Sequence, residues 1–462
     1  MEITSAINIT EKIPPTIDRR TLTLLHGSIF SVLSRMAAPN IFLAFMWGLV
    51  SFAEIWFVGR NGTPALAGIA LVFPLIMLMQ MLSGGAMGGA ISSSISRALG
   101  GGDTRKAELL AVHAVVIALV FGLIFTAGMI VGGPRLYSIL GGKGEALSQA
   151  VVYSQVVFGG IIVIWICNTL ASIMRGTGDM FVPAATLSVT SLLHIPLCGS
   201  LVLGWGPFPE MGLAGAGISY ILTFGAATFF FALWLLSGHS GLRTHWRGMK
   251  LSTSLFGDIL GVGLLSSVNT VQTVAASVIL TGLVGSFGTA ALAGYGLGVR
   301  LEMLQVPIVF ALGSSLIPIV GVSIGAGAIQ RAKKVAWIGA GFAAFLTGVV
   351  GITVAIRPGI WAGLFSNDPA VLEAAFSYLH IVGPFYIFLG IGIALYFASQ
   401  GARRMFFPML AGTARFLIAV CGGFGIVYFF NGEAGSLFIF ISLSMLALGI
   451  VNAAAVKWTD WH

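Results

Sequence analysis

The chain is poor in charge. Of 462 residues, 23 are basic and 15 acidic, so charged side chains make up 8% of it, where a soluble domain carries about 25%. Hydrophobic residues make up 57% and the mean hydropathy is +1.00, which leaves no room for a separate soluble domain. Cysteine is also scarce. Cys167, Cys198 and Cys421 lie in apolar runs without metal-ligand spacing and are expected to pack in the core rather than pair. There is no P-loop, no metal-ligand cluster and no nucleophile–base motif. These absences argue against an ATP-driven machine, a resident metal or cofactor, and an enzyme. Residues 1–30 are mostly polar, carry Pro14-Pro15 and lack the apolar core of a signal peptide. They are expected to form a cytoplasmic tail with a short surface helix.

What the chain has instead is apolar length. Runs long enough to cross a hydrocarbon core of about 30 Å follow one another along almost the whole sequence. Only helices and closed barrels satisfy their backbone in lipid, and barrel strands are about 10 residues of alternating pattern. The expected fold is an all-α polytopic membrane protein with about twelve transmembrane helices.

The chain also repeats itself. Gly62-Thr63-Pro64-Ala65-Leu66-Ala67-Gly68 returns as Gly288-Thr289-Ala290-Ala291-Leu292-Ala293-Gly294, an offset of 226. Arg175-Gly176-Thr177-Gly178-Asp179-Met180-Phe181-Val182-Pro183 returns as Gln400-Gly401-Ala402-Arg403-Arg404-Met405-Phe406-Phe407-Pro408, an offset of 225. Gly101 and Arg105 fall on Gly327 and Arg331 at the first offset, which predicts equivalent loop positions near lipid headgroups. Ordered matches at nearly one offset indicate an internal duplication. The expected division is a tail (1–30), an N-lobe of spans 1–6 (31–238), a cytoplasmic linker (239–254) and a C-lobe of spans 7–12 (255–462). An even number of spans per repeat makes the two lobes parallel.

Basic residues alternate between loops. Arg19, Arg20, Arg35, Arg97, Arg105, Lys106, Arg175, Arg243, Arg247, Lys250, Arg331, Lys333, Lys334, Arg403 and Arg404 fall on one side, against Arg60, Arg135, Lys143 and Arg357 on the other. The positive-inside rule then puts both termini in the cytoplasm. The net charge of +8 is mostly loop charge and calls for no nucleic-acid partner.

Two acids fall well inside spans: Glu54 in span 1 and Glu302 in span 8. A carboxyl in hydrocarbon is costly and marks a functional hypothesis. Glu302 has Arg300 two residues away, which suggests a structural polar cluster. Glu54 has no basic neighbour before Arg60, and its alternative is an interfacial side chain reaching for water. Desolvation favours the protonated form of a carboxyl, so one buried acid could bind a proton and a cationic substrate in turn. Other polar residues in spans are Asn168, Ser191 and His194, and the i, i+3 pair Asn269 and Gln272. His113, His194 and His380 each stand alone on a helix, as interhelical hydrogen bonders do.

Ala53-Glu54-Ile55-Trp56-Phe57-Val58-Gly59-Arg60, followed by Ala65-Leu66-Ala67-Gly68, resembles the span 1 signature of MATE transporters, with Pro39 similar to that family's span 1 proline. Arg175–Asp179 with Pro183 resembles its span 4–5 loop. His194-Ile195-Pro196-Leu197 and Pro209-Glu210-Met211-Gly212-Leu213-Ala214-Gly215 are similar to its span 5–6 region, and Gly325-Ala326-Gly327 with Arg331-Ala332 to its span 8–9 loop. The pattern is nearest to bacterial NorM- and DinF-type members. The resemblance covers the whole chain and implies a V-shaped pair of six-helix lobes in the cell inner membrane. It also implies a multidrug efflux antiporter that exports organic cations or amphipathic compounds by alternating access against protons or sodium ions.

Departures narrow what the resemblance implies. The family's span 1 aspartate is Glu54 here. The DinF-type span 5 pattern falls on Ser191 and Ile195, so its acid is missing. The NorM-type acids of spans 7 and 10 fall near Gln272 or Thr273 and near Ile393. Glu54 is left as the best-matched carboxylate, which favours proton coupling over sodium. Asn168, Ser191, His194, Asn269 and Gln272 are the candidate cavity residues, and Pro39, Arg300 and Glu302 the structural or secondary ones. The protein is expected to act as a monomer. The competing function is a flippase for lipids or lipid-linked saccharides of the same superfamily.

Overall fold

Lipid offers the backbone no hydrogen-bond partner, so each apolar run satisfies its own N–H and C=O groups as a helix. The computed structural model describes residues 19–242, 250–429 and 432–461, and among these it contains no strand. A short α1 (Arg19–His26) precedes the first span, α2 (Ile29–Gly59). The N-lobe continues through α3 (Thr63–Gln80), a π-helical segment (Met81–Met87), α4 (Gly88–Gly100), α5 (Thr104–Ile139), α6 (Gly144–Gly159), α7 (Ile161–Gly176), α8 (Phe181–Leu203) and α9 (Gly212–Leu236). The C-lobe comprises α10 (Thr253–Gly285), α11 (Thr289–Gly325), α12 (Ile329–Ile356), α13 (Gly359–Ala362), α14 (Pro369–Val382), α15 (Tyr386–Gly401), α16 (Phe406–Tyr428) and α17 (Ala434–Trp458). Among the described residues 11 helices are long and apolar enough to span, and 12 if α6 and α7, which meet at 48°, form one bent span. Residues 1–18 of the expected tail and 243–249 of the expected linker lie outside the described residues, as do Arg243 and Arg247.

Both ends of the described chain lie on one face, called here the terminal face. Arg331 Nη2 donates to the carbonyls of Leu24 (2.8 Å) and Gly27 (2.7 Å), and Lys333 Nζ donates to the carbonyl of Thr459 (3.0 Å). The start of α2, the α11–α12 loop and the end of α17 are thus at one level, as parallel repeats require.

The duplication is visible in the backbone. Gly62 and Gly288, at φ 96° and 106°, precede equivalent helices in a conformation that a Cβ would strain. Further on, Gly102 (φ 75°) matches Gly327 (φ 73°), so the offset drops from 226 to 225. The cause lies between these markers. The stretch Thr63–Gly100 has 38 residues and its partner Thr289–Gly325 has 37. The π-helical segment at Met81–Met87 takes up the extra residue, as a π-bulge does when one residue is inserted into an α-helix. Arg105 is therefore equivalent to Gln330, and Arg331 to Lys106, which corrects the expected pairing of Arg105 with Arg331.

The lobes join near the terminal face. One apolar core combines Leu24, Leu33 and Met36 with Leu312, Leu316 and Val335, and another combines Ile91, Ile95 and Leu110 with Ile259, Val262 and Met405. The buried residues of two further cores come from one lobe each, around Tyr137, Phe158 and Trp165, with Leu260 of the C-lobe packed against them, and around Tyr295, Leu389 and Phe438. Glycines make the interlobe seam close. A Cβ on Gly100 would meet the backbone of Val322, and one on Gly325 the backbone of Arg97. Such small residues let membrane helices approach where no hydrophobic effect drives them together.

Candidate functional site

Glu54 lies on α2, partly buried, and accepts a hydrogen bond of 3.3 Å from the hydroxyl of Tyr153 on α6. Arg60 is exposed and sits 4.3 Å over the ring of Trp56, so it is not the partner of Glu54. Among the described residues Glu54 makes no ion pair within 4.0 Å. Pro39 lies on the same helix, fifteen residues before Glu54, and α2 stays helical through both. Pro39 removes the amide that would bond the carbonyl of Arg35, which leaves a weak point in an otherwise continuous α2.

A polar chain continues from this pair through the N-lobe. Tyr153 and Tyr220 each lie close enough to Glu54 to interact with its charge. Gln80 Nε2 donates to the Tyr220 hydroxyl (2.6 Å), and Asn168 Nδ2 donates to Gln80 Oε1 (2.8 Å) and Ser83 Oγ (2.8 Å). Gln80 and Ser83 flank the start of the π-helical segment, whose widened turn lets Gly84 pass beside Asn168. His194 is buried with Nδ1 3.4 Å from Thr223 Oγ1 and its ring edge-on to Tyr220. Asn168 and His194 thus gather with Glu54 around the pair Tyr153 and Tyr220. Ser191 is only partly buried on α8 and does not enter the chain of hydrogen bonds.

Asn269 and Gln272 are elsewhere. They face α16 within the C-lobe, where Gln272 Nε2 donates to Thr413 Oγ1 (2.9 Å) and Asn269 lies against Gly412. Glu302 is in the C-lobe too, but not with Arg300. Arg300 is exposed, 5.8 Å from the ring of Phe365. This corrects the expected Arg300–Glu302 cluster: residues two apart on a helix point to different faces. The Glu302 carboxylate accepts a hydrogen bond from the hydroxyl of Tyr378, and the cation acting on it is Arg415 of α16. The other histidines are fasteners. His113 takes the Ser252 amide on Nε2 (2.8 Å), and exposed His380 contacts the carbonyl of Phe376. Cys167 and Cys198 are buried, whereas Cys421 is exposed on α16, which corrects its expected core position; all three are free.

Sequence reasoning missed Tyr153, Tyr220 and Gln80. A signal for the first existed, since Tyr153 and Tyr378 stand 225 residues apart. It also missed Asp258, near the start of α10. Asp258 is buried and binds Arg97 Nη2 at 2.9 Å and Arg403 Nη1 at 3.0 Å, with Lys106 Nζ at 4.0 Å. Arg97 and Lys106 belong to the N-lobe, and Asp258 and Arg403 to the C-lobe. The cluster therefore ties the lobes together at the terminal face. Arg403 has φ 60° where the other repeat has Gly178 at φ 86°. A side chain is tolerated there at a cost of about 1–2 kcal/mol, and it reaches Asp258. Beside it, Gln400 Nε2 donates to the carbonyl of Ala86 (3.0 Å), and Ser93 Oγ to that of Gln400 (2.6 Å).

The chain matches the MatE family model over residues 39–199 and 266–424, a segment in each repeat. It is 25% identical to the FAD transporter of Shewanella oneidensis, over 92% of this chain and 94% of that one. It is 25% identical to the probable multidrug resistance protein NorM of Thermotoga maritima, over 82% and 81%. It is 21% identical to the multidrug export protein MepA of Staphylococcus aureus, over 92% and 93%. A MOP superfamily transporter from Pyrococcus furiosus superposes with a TM-score of 0.87 at 22% identity, covering 96% of this chain and all of that one. An outward-facing multidrug resistance MATE transporter superposes equally well, at 0.87, 22% and 96%. Two parallel six-helix lobes and a family match in both repeats carry the same conclusion: the chain belongs to the MatE family and is a membrane transporter, not an enzyme.

Proposed function

We propose that this chain is a secondary active exporter of organic cations or amphipathic compounds, driven by protons entering through Glu54. The observation that carries the reading is Glu54 itself. It is a partly buried carboxyl in the N-lobe, without an ion pair within 4.0 Å among the described residues, hydrogen-bonded to Tyr153 and beside the chain Tyr220–Gln80–Asn168. An acid held by a neutral hydroxyl can take and release a proton, or exchange it for a cation, without first breaking an ion pair. Sodium prefers several hard oxygen ligands, and Glu54 has few around it, which supports the proton.

The terminal face carries Arg97, Arg105, Lys106, Lys250, Arg331, Lys333, Lys334, Arg403 and Arg404. The positive-inside rule makes it cytoplasmic in the cell inner membrane. With the interlobe cores near that face, the proposed resting arrangement is one whose cavity opens to the outside. Alternating access would then break the Asp258 cluster and close the far ends. One chain contains both lobes, which supports a monomer as the unit of transport. The relatives NorM and MepA support drug-like substrates. The FAD transporter favours a second reading, a flavin nucleotide. Export from vesicles under a proton or a sodium gradient, imposed one at a time, tests both. A dye cation exported only with the proton gradient supports the proposal, and transport of FAD but not the dye overturns it.

A further inference from the structure

The two α-helices that follow the equivalent loops of the repeats differ sharply in charge. At the start of α5, Asp103 accepts a hydrogen bond from the Lys106 amide (2.8 Å), Glu108 pairs with Arg105 (3.5 Å), and Lys106 lies 4.0 Å from Asp258. This copy neutralises itself. At the same positions of the C-lobe copy, 225 residues on, Asp103 becomes Ala328 and Glu108 becomes Lys333, while Leu109 becomes Lys334. Arg331, Lys333 and Lys334 therefore stand together with no ion pair within 4.0 Å among the described residues.

They also line a space. An open cavity of about 480 Å³ is bounded by Arg331, Lys333, Lys334, Gln330, Trp337 and Ile29, with no acid among them. Arg331 and Lys333 are held in place by the carbonyls of Leu24, Gly27 and Thr459, whereas Lys334 is exposed. Trp337 is 42% exposed one helical turn deeper, as an indole at a membrane interface is. Like charges brought this close repel, and nothing in the cavity's own wall offsets them.

We propose that this cavity binds a phosphate-bearing anion, supplied by an anionic phospholipid whose headgroup meets Arg331, Lys333 and Lys334 while its chain runs along Trp337. Ile29 belongs to α2 of the N-lobe and the cations to α12 of the C-lobe, so the lipid binds the arrangement in which the lobes touch at the terminal face. Basic pockets between membrane helices bind anionic headgroups by this chemistry.

The test is binding of a fluorescent phosphatidylglycerol to the purified full chain in neutral detergent, with phosphatidylcholine and inorganic phosphate as competitors. Unlabelled phosphatidylglycerol should displace the probe, and the other two should not. Lys333→Gln with Lys334→Gln should weaken binding about 30-fold, as two cations near an anionic headgroup imply. Lys334→Gln alone should weaken it about 5-fold, and decides the matter if the double variant does not fold. Arg105→Gln, in the self-neutralised copy, should leave it unchanged. Displacement by inorganic phosphate at equal concentration overturns the lipid as the source. Equal weakening by Arg105→Gln, or full binding by Lys334→Gln, overturns the site.

Discussion

Tyr153 and Tyr378 occupy the same position in the two repeats, the tenth residue of α6 and of α14, and each hydroxyl donates to a carboxyl of its own lobe. The carboxyls are not equivalent. Glu54 comes from α2, and its counterpart 226 residues on is Leu280; Glu302 comes from α11, and its counterpart is Ile76. Duplication kept the donor and placed an acid on a different helix in each lobe. The surroundings also differ. Among the described residues neither acid makes an ion pair within 4.0 Å, but the charge of Arg415 acts on Glu302 and no cation acts on Glu54.

The first prediction concerns coupling. Glu54→Gln should fold and reach the membrane, but lose proton-driven export to background. Glu54→Asp should retain part of it. Tyr153→Phe removes one hydrogen bond worth about 0.5–1.5 kcal/mol and should slow export about 2- to 10-fold. Wild-type export by Glu54→Gln under the same proton gradient rules out the proposed role.

Glu302 should behave differently. Its carboxylate faces Arg415 as well as Tyr378, so Glu302→Gln leaves a partly buried guanidinium without its counter-charge. Removing one member of a contacting buried pair costs about 3–5 kcal/mol; these two groups are partly buried and more than 4.0 Å apart, so the expected loss is smaller. Thermal unfolding in detergent should show a Tm several degrees lower, partly restored by Arg415→Met in the same chain. An unchanged Tm in the single variant contradicts this assignment.

The Asp258 cluster should hold the terminal face closed. Asp258→Asn removes the one carboxylate that, among the described residues, pairs with Arg97, Lys106 and Arg403. The closed arrangement should lose about 3 kcal/mol, more than a 100-fold shift in population. Spin labels at Arg105 and Gln330, both exposed and in different lobes, should report a longer distance in the variant. The same distance distribution in both proteins shows that the cluster is not a latch.

The π-helical segment offers a deletion. Removing Gly85 gives the N-lobe stretch the 37-residue length of its C-lobe partner, Thr289–Gly325. A regular helix should form, and Gln80 and Ser83 should no longer meet Asn168 together. Export should fall at least 10-fold with expression retained, since the loss amounts to two hydrogen bonds of about 1 kcal/mol each. Unchanged export means the widened turn does not serve the site.

Topology can be read with an impermeant thiol reagent after Cys421, the exposed cysteine, is replaced by Ala. Cysteines at Arg105 and Lys334 should be labelled only after the cells are opened, and one at Lys143 in intact cells. The reverse pattern places the terminal face outside.

The sequence by itself determined the class, the duplication and the span count. Hydrocarbon length and the cost of charge in lipid act locally, so they are written in consecutive residues such as those around Glu54. Even the π-helical segment left a trace, as the drop in repeat offset from 226 to 225. Tertiary structure alone decided the partners. Glu54 meets Tyr153 at a separation of 99 residues, and Asn168 meets Gln80 at 88. Glu302 turned from Arg300, its neighbour in sequence, to Arg415 on another helix. Which face of a uniformly apolar helix points inward is set by packing against its neighbours, because lipid and protein interior favour the same side chains and leave little amphipathic pattern to read.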